Sequence, residues 1–318
     1  MFSSPSTPPG AAIVAFGDYQ PAQVVTNADL TARVDTTDEW IQSRVGIQER
    51  RIAGPGDTVE SMAVVAGGKA LAAGGLAPED IDLVIVATCT AQDQIPNAAA
   101  SVAAKLGIVA PGAFDVNAAC AGFCYALAIA SDSVRGGSAR NVLVIGSEKL
   151  SDWVDWDDRS TCVIFADGAG AAVVSASEEH GVGPVVWGSS GERADKIYLR
   201  DHKYLYQEGQ AVFRWTTTEL YEVALEALDR AGVDPSELTA FVPHQANLRI
   251  VESIARKLGA PQALVARDIV TAGNTSSASV PLALSRMVER GELPSGSTVL
   301  TLGFGAGLVY AAQVIRIP

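Results

Sequence analysis

Short runs of valine, isoleucine and leucine recur along this chain between stretches whose apolar residues keep a helical period. "DLVIVATC" from Asp82 and "NVLVIGS" from Asn141 are continuous apolar runs, the pattern of strands buried on both faces; "GAFDV" from Gly112 reads as a further strand. "ALAAGGLAPEDIDLVIVA" from Ala70 reads as helix, glycine stop, turn and strand. Such alternation predicts an α/β protein with helices packed on the faces of its sheets.

The pattern repeats at an offset of 157 residues. The segment from Ala70 lines up with "ALDRAGVDPSELTAFVPH" from Ala227, matching Gly75 with Gly232 and Pro78 with Pro235. At the same offset "NAACAGFCYAL" from Asn117 falls on "NTSSASVPLAL" from Asn274, and "NVLVIG" from Asn141 on "TVLTLG" from Thr298. Cys120 is thereby matched by Ser277, and Asn117 by Asn274. A further pair, "GAGAAVV" from Gly168 and "GAGLVYA" from Gly305, needs an offset of 137, so the first half carries about twenty extra residues around "KLSDWVDWDDRSTCVIFAD", consistent with a loop inserted over a site. Two duplicated α/β halves, residues 1–175 and 176–318, are expected to stack around a pseudo-twofold axis. Gly168 and Gly170 are expected to serve tight packing between them, since their stretch lacks a full phosphate-loop pattern.

Composition narrows the classes. A chain of 318 residues exceeds the usual single core, which agrees with a duplicated unit. With 48% hydrophobic and 19% charged residues it reads as an ordinary globular protein. The longest apolar stretch, "AACAGFCYALAIA", has 13 residues, too few to span a bilayer, and no membrane is expected. A net charge of −13 argues against a general nucleic-acid binder. "MFSSPSTPPG" lacks a basic and then an apolar region and reads as a leader rather than a signal peptide, so a cytoplasmic protein is expected. Four cysteines in so long a chain do not make a disulfide framework, and with only His180, His202 and His244 a zinc site is not expected.

The stretch "NAACAGF" puts the Cys120 thiol just after a strand and before an apolar helix. A cysteine there can be a small buried hydrophobe. It can equally be a nucleophile, because the first turn of a helix offers unpaired N–H groups and a positive dipole end that favour thiolate. In parallel α/β units sites collect where strands end and helices begin. His244 follows the strand "LTAFVP", and Asn274 starts the element matching that of Cys120. Each alone could be a hydrogen-bonded structural residue or a turn; at equivalent ends of two repeated units they read as one site.

"NAACAGF", "PHQAN" from Pro243, "GNTSSASVPLAL" from Gly273 and "GFGAG" from Gly303, with "DEWIQSRVGIQERR" from Asp38 and "DGAGAAVV" from Asp167, resemble the β-ketoacyl-[acyl carrier protein] synthase III family of thiolase-fold condensing enzymes. The segment from about Ser189 to Gln210 is least family-like, which leaves its loop shape open. The resemblance implies a thiolase-like fold layered αβαβα, a homodimer, no metal or organic cofactor, and condensation of a short acyl-CoA primer with malonyl-[acyl carrier protein] to start fatty acid synthesis. Cys120 would take the acyl group as a thioester. Its own N–H and a backbone N–H of the turn carrying Gly305 and Ala306 would hold the oxyanion, and His244 and Asn274 would donate to the thioester oxygen as malonate loses carbon dioxide. Phe213 or Phe304 would press on the leaving carboxylate.

The same resemblance places Trp40, Arg44 and Arg159 at the CoA entrance, where stacking and cationic contacts suit an adenine and phosphates. The alternative for these three is a core tryptophan with two surface arginines. It places Ile95 at the primer pocket, reached across the dimer, where an aliphatic residue leaves room for four- or five-carbon primers. Acyl carrier protein would dock on Arg249, Arg256 and Lys257, in a helix whose Leu248, Val251, Ala255 and Leu258 are expected to face the core, although an ordinary solvated face is the alternative. Elongating ketoacyl synthases use two histidines and thiolases a later cysteine, neither present here. Plant-type polyketide synthases, which share Cys/His/Asn, are the nearest alternative, followed by an acyltransferase using another acceptor and by a non-catalytic partner on the same fold.

Overall fold

The computed structural model describes residues 10–318; the leader reading falls on residues outside it. The first half supplies strands β1 (Gly10–Tyr19), β2 (Leu83–Ala87), β3 (Gly112–Val116), β4 (Asn141–Lys149) and β5 (Asp167–Ser177) in the order β1-β5-β4-β2-β3. The second half supplies β6 (Val186–Gly188), β7 (Ala240–Pro243), β8 (Leu264–Val265), β9 (Thr298–Gly305) and β10 (Val309–Arg316) in the order β6-β10-β9-β7-β8. Strand for strand, the two sheets have one topology. In each, the two middle strands that follow helices run parallel, and the strand entering from the hairpin side runs antiparallel. The expected division after residue 175 falls near the end of β5.

The helices repeat likewise. Helices α1 (Val59–Gly74), α2 (Ala98–Lys105) and α3 (Gly122–Arg135) answer to α4 (Leu220–Ala231), α5 (Leu248–Lys257) and α6 (Ser279–Glu289). Both α1 and α4 end on a left-handed glycine, Gly75 at φ 63° and Gly232 at φ 66°, and each is followed by a short turn opening on proline, Pro78 and Pro235. Helices α1 and α2 cover one outer face and α4 and α5 the other, while α3 and α6 lie between the sheets and touch both. Five layers result, with the largest apolar cluster around the central pair, from Phe123 and Leu127 of α3 to Leu284 and Met287 of α6.

Glycines let the halves approach. A Cβ at Gly146 would lie 2.5 Å from the Ser277 carbonyl oxygen; at Gly303, its match in the second half, a Cβ would lie 2.9 Å from Ala121 Cα. Gly170 packs against the first turn of α6, where a Cβ would come within 2.6 Å of the Pro281 carbonyl carbon, and Gly168 faces Thr275. Gly170 therefore serves tight packing between the halves, as expected, whereas the tight contact at Gly168 is with the Tyr19 carbonyl of its own half, 3.2 Å from a Cβ, and Thr275 lies at ordinary van der Waals distance.

Candidate active site

Two loops from opposite halves meet at the strand ends, and they share one local geometry. Asn117 Oδ1 accepts from the Ala119 N–H at 3.3 Å, and Asn274 Oδ1 accepts from the Ser276 N–H at 2.9 Å. Ala119 and Ser276 are both left-handed, at φ 45° and 51°, a strain of about 1–3 kcal/mol each that places the next residue at the head of a helix. That residue is Cys120 before α3 and Ser277 before α6.

Cys120, His244 and Asn274 border one cavity of about 410 Å³. His244 follows β7, is buried, and is fixed by its N–H donating to the Leu302 carbonyl at 2.7 Å. Its ring Nδ1 lies 2.7 Å from Ser279 Oγ, which accepts the Gln245 N–H at 3.2 Å. The serine hydroxyl has no other acceptor within reach among the described residues, so it donates to Nδ1, and Nε2 carries the ring proton. Burial holds His244 down at about 3, which keeps the ring neutral. Asn274 has its oxygen occupied by Ser276, and its amide NH₂ makes no hydrogen bond among the described residues. Two donors, one from each residue, are left for a ligand.

Gly305 comes so close that a Cβ on it would lie 2.7 Å from the Cys120 nitrogen, which brings the Gly305–Ala306 backbone against the thiol. Phe304 lines the cavity edge-on to His244, with ring centroids 5.0 Å apart. Phe213 does not line it and lies under the Arg249 guanidinium instead. Between the two phenylalanines, Phe304 is the one at the site.

Most of the rest of the wall is apolar, with Gln94, Asn117 and Gln207 among its polar members. The segment whose loop shape was open folds as a turn, Gly191–Lys196, and a hairpin, Ile197–Arg200 with Tyr204–Gln207, that presents Leu199 and Leu205 to the cavity. Helix Gly209–Thr218 adds Trp215. The inserted stretch contributes Trp153 and Phe165 and is stitched to the second half at Asn274, whose N–H donates to Ile164 and whose carbonyl accepts from Ala166.

Burial works against the thiolate expected at Cys120. Burial pushes the Cys120 thiol up to about 12, against a downward pull from the Ser276 hydroxyl and with a further push from the Glu148 carboxylate. The helix start favours an anion, but removal of water outweighs it.

Trp40, Arg44 and Arg159 come together outside the cavity. On helix Asp38–Val45, Trp40 has two guanidinium groups near its ring, Arg159 at 5.0 Å and Arg44 at 6.0 Å from the ring centre, and it shares an apolar cluster with Leu150 of the cavity wall. Ile95 does not line the cavity of its own chain and is 91% exposed; its neighbour Gln94 lines it.

Helix α5 carries Arg249, Arg256 and Lys257 on its exposed side, but its core face differs from that expected. Ile250, Val251 and Ile254 are buried, with Leu258 at the C-cap, whereas Leu248 and Ala255 are only half-buried. The helix starts at Leu248 behind an Asn247 cap, and it is Ile250 and Ile254, left out of the expected stripe, that join Val251 against the core. Two of its cations are engaged: Arg249 over Phe213 at 5.0 Å, and Lys257 over Tyr221 at 4.4 Å with a bond to the Thr217 carbonyl at 2.5 Å.

Glu148, Cys89, Ser276 and Ser279 were not singled out in the sequence. An acid closing the apolar run "NVLVIGSE" was the available signal for Glu148, and the serine-rich "NTSSAS" for the other half.

Comparison with known proteins gives consistent neighbours. The family described as 3-Oxoacyl-[acyl-carrier-protein (ACP)] synthase III matches residues 114–191, and its C-terminal part matches residues 228–317. The chain is similar to beta-ketoacyl-[acyl-carrier-protein] synthase III 4 of Streptomyces coelicolor, 55% identical over 97% of this chain and 99% of the relative. A mycobacterial beta-ketoacyl-[acyl-carrier-protein] synthase III from Mycobacterium avium is 47% identical over 100% and 99%. Among solved structures, a priming beta-ketosynthase of a polyketide biosynthetic pathway superposes with a TM-score of 0.95 at 42% identity, covering 98% of this chain and 97% of that one. The 3-oxoacyl-[acyl-carrier-protein] synthase III of Aquifex aeolicus gives 0.94 at 43%, covering 97% and 100%.

Proposed function

The chain belongs to the 3-oxoacyl-[acyl-carrier-protein] synthase III family of thiolase-fold condensing acyltransferases, and from that membership we propose that Cys120, His244 and Asn274 join a short acyl-CoA primer to malonyl-[acyl carrier protein] to start a fatty acid chain. The observation that carries the reading is one cavity bordered by a thiol and two unspent neutral donors, His244 Nε2–H and the Asn274 amide.

Cys120 attacks the primer thioester, and its own N–H with that of Ala306 receives the developing oxyanion. Malonyl thioester then loses carbon dioxide while His244 and Asn274 donate to the enolate oxygen. The resulting carbanion attacks the acyl-cysteine and releases the thiolate. Phe304 gives the departing carboxylate an apolar neighbour, which favours neutral carbon dioxide over the anion. Residues 1–175 supply the nucleophile and residues 176–318 the two donors.

A homodimer in the cytoplasm fits this role. The edge strand β3 has no partner on its outer side among the described residues, and Phe114 on it, like Val109 and Ile95, is exposed, as an interface would need. Ile95 of one protomer then borders the other's primer pocket, and four- or five-carbon primers compete with acetyl-CoA. CoA is held by Trp40, Arg44 and Arg159. The likeness to a polyketide-priming ketosynthase supports a second reading, in which the same condensation starts a polyketide.

Intact-mass analysis after incubation with a panel of acyl-CoAs tests the proposal. The wild type gains one acyl group and Cys120→Ala gains none. An adduct at full occupancy on Cys120→Ala would refute it, and strict acetyl preference in competition would refute the role of Ile95.

A further inference from the structure

Arg50 is wholly buried, and no carboxylate pairs with it among the described residues; its neighbour Glu49 turns to Arg51 at 3.7 Å. Burial lowers its pKa to about 10, so the guanidinium is charged at neutral pH. A buried cation without a counter-ion is costly to keep. Neutral acceptors from two segments hold it. Arg50 lies on strand Glu49–Ile52, opposite Val25 of strand Gln23–Thr26. Its Nη1 donates to the Val25 carbonyl at 3.2 Å, and Nη2 donates to Asn27 Oδ1 at 2.9 Å and to the Val163 carbonyl at 3.0 Å.

Both segments lead by hydrogen bonds to the cluster around Trp40. The Asn27 amide nitrogen donates to Asp38 Oδ1 at 2.7 Å and to the Ile47 carbonyl at 2.8 Å. It thereby ties the first residue of helix Asp38–Val45 to the residue just beyond its C-cap Gly46, and that helix carries Trp40 and Arg44. Val163 sits in a turn that opens at Asp158, where the Thr161 and Cys162 N–H groups donate to the Asp158 carbonyl at 3.2 and 3.0 Å and the Ile164 N–H to the Thr161 carbonyl at 3.0 Å. Arg159 belongs to the same turn, and its guanidinium lies 5.0 Å from the Trp40 ring centre. At the surface Arg159 also donates to the Asp35 carbonyl at 2.7 Å, an exposed contact for which water competes. Both partners of the stack are thus positioned from one buried cation.

We propose that Arg50 is a positioning residue for acyl-CoA, fixing the spacing of Trp40 and Arg159 that receives the nucleotide end of the donor. This rests on the reading that Trp40, Arg44 and Arg159 hold CoA. A guanidinium suits the task, because its planar fork reaches three acceptors in set directions, whereas an ammonium on a flexible stem does not. Arg50 also backs the Asn274 loop, since a Cβ on Gly273 would lie 2.9 Å from Arg50 Cβ. A test must therefore separate the nucleotide end of the donor from the reacting end.

Acetylation of Cys120 is read by intact mass in single turnovers with acetyl-CoA and with acetyl-pantetheine, which lacks the nucleotide. Arg50→Met keeps bulk and removes the fork, and Asn27→Ala cuts only the branch to helix Asp38–Val45. Arg50→Met should raise the half-saturating acetyl-CoA concentration by about 5- to 30-fold, the size of one stacked cation, with the maximal rate within about twofold of the wild type. Asn27→Ala should raise it by less, and Arg50→Lys, which keeps the charge without the fork, should rescue only in part. Rates with acetyl-pantetheine should stay at the wild-type level in all three. Equal slowing with both donors would make Arg50 a support of the Asn274 loop and overturn the proposal. Wild-type half-saturation in Asn27→Ala, which keeps the buried cation, would overturn it as well, even if Arg50→Met fails to fold. Trp40→Ala separates the two readings. If it keeps wild-type half-saturation with acetyl-CoA, the CoA reading itself falls; if it loses affinity while Arg50→Met does not, Arg50 alone is dismissed.

Discussion

Ser279 Oγ stands 2.7 Å from His244 Nδ1 while accepting the Gln245 N–H at 3.2 Å, so one hydroxyl decides which nitrogen of the buried imidazole faces the cavity with a proton. Removing it should let the other tautomer form and turn Nε2 from donor to acceptor. Ser279→Ala is expected to lower malonyl-dependent turnover about tenfold or more, the cost of one misassigned buried hydrogen bond, with acyl loading of Cys120 near normal. Rapid quench separates the two steps, and equal slowing of both would remove Ser279 from the second one.

Asn274 is assigned to the same oxygen. Asn274→Ala should still load an acyl group at Cys120, while condensation falls by about two to three powers of ten, as when one oxyanion donor is removed. Unchanged turnover with malonyl thioester would take Asn274 out of the mechanism.

The depressed His244 sets a pH dependence. The folded ring stays neutral to about 3 while the unfolded ring protonates near 6.5, so between these values the unfolded chain binds the extra proton. Stability attributable to His244 is therefore full above about 6.5 and declines as pH falls toward 3, by at most roughly 1.4 kcal/mol per pH unit. Urea midpoints across this window should fall less steeply for His244→Asn than for the wild type. Parallel slopes would mean that the ring is charged in the folded protein.

Packing between the halves gives a prediction independent of chemistry. At Gly170 a methyl would meet backbone of α6, at 2.6 Å from the Pro281 carbonyl carbon, so no side chain can move aside. Gly170→Ala should cost about 1–3 kcal/mol in denaturant unfolding. A neutral substitution there would mean that the halves are less tightly joined.

Much of this was legible because it lay in repeated local signals. Glycine followed three residues later by proline ends both α1 and α4, and asparagine two residues before a left-handed turn opens both site loops. What was not legible depended on surroundings. The first-turn position of Cys120 suggested thiolate, but the cavity walls that strip water from it come from Phe304 and distant segments such as Trp153 and Leu205. Glu148 looked like the charged end of a strand, because its hydroxyl partners Ser276 and Ser277 lie in the other half. The core face of α5 was misplaced because Leu248, Val251, Ala255 and Leu258 make one helical stripe and Ile250, Val251, Ile254 and Leu258 another about as well spaced, and only packing against the sheet selects between them.

The geometry of α5 sharpens the expectation for the carrier protein. A chain of net −13 needs a local basic surface to receive an acidic partner, and α5 leaves the strand end that carries His244. Of its three cations, Arg249 is stacked on Phe213 and Lys257 is bound back to the Thr217 carbonyl, while Arg256 is exposed without an ion pair among the described residues. Engaged cations still contribute field, but a free side chain can follow a partner's carboxylates without losing contacts. Arg256→Glu alone should therefore account for most of the loss that Arg249→Glu with Arg256→Glu produces in the use of malonyl-[acyl carrier protein]. Acylation of Cys120 by acyl-CoA should stay near normal in both. Carrier use by the wild type should decline as added salt shortens the screening length to about 3 Å near 1 M, and Arg256→Glu should flatten that decline. Normal carrier use by the double variant at low salt would place the docking surface elsewhere, whereas a large loss from Arg249→Glu alone would show that the stacked cation, rather than the free one, meets the carrier.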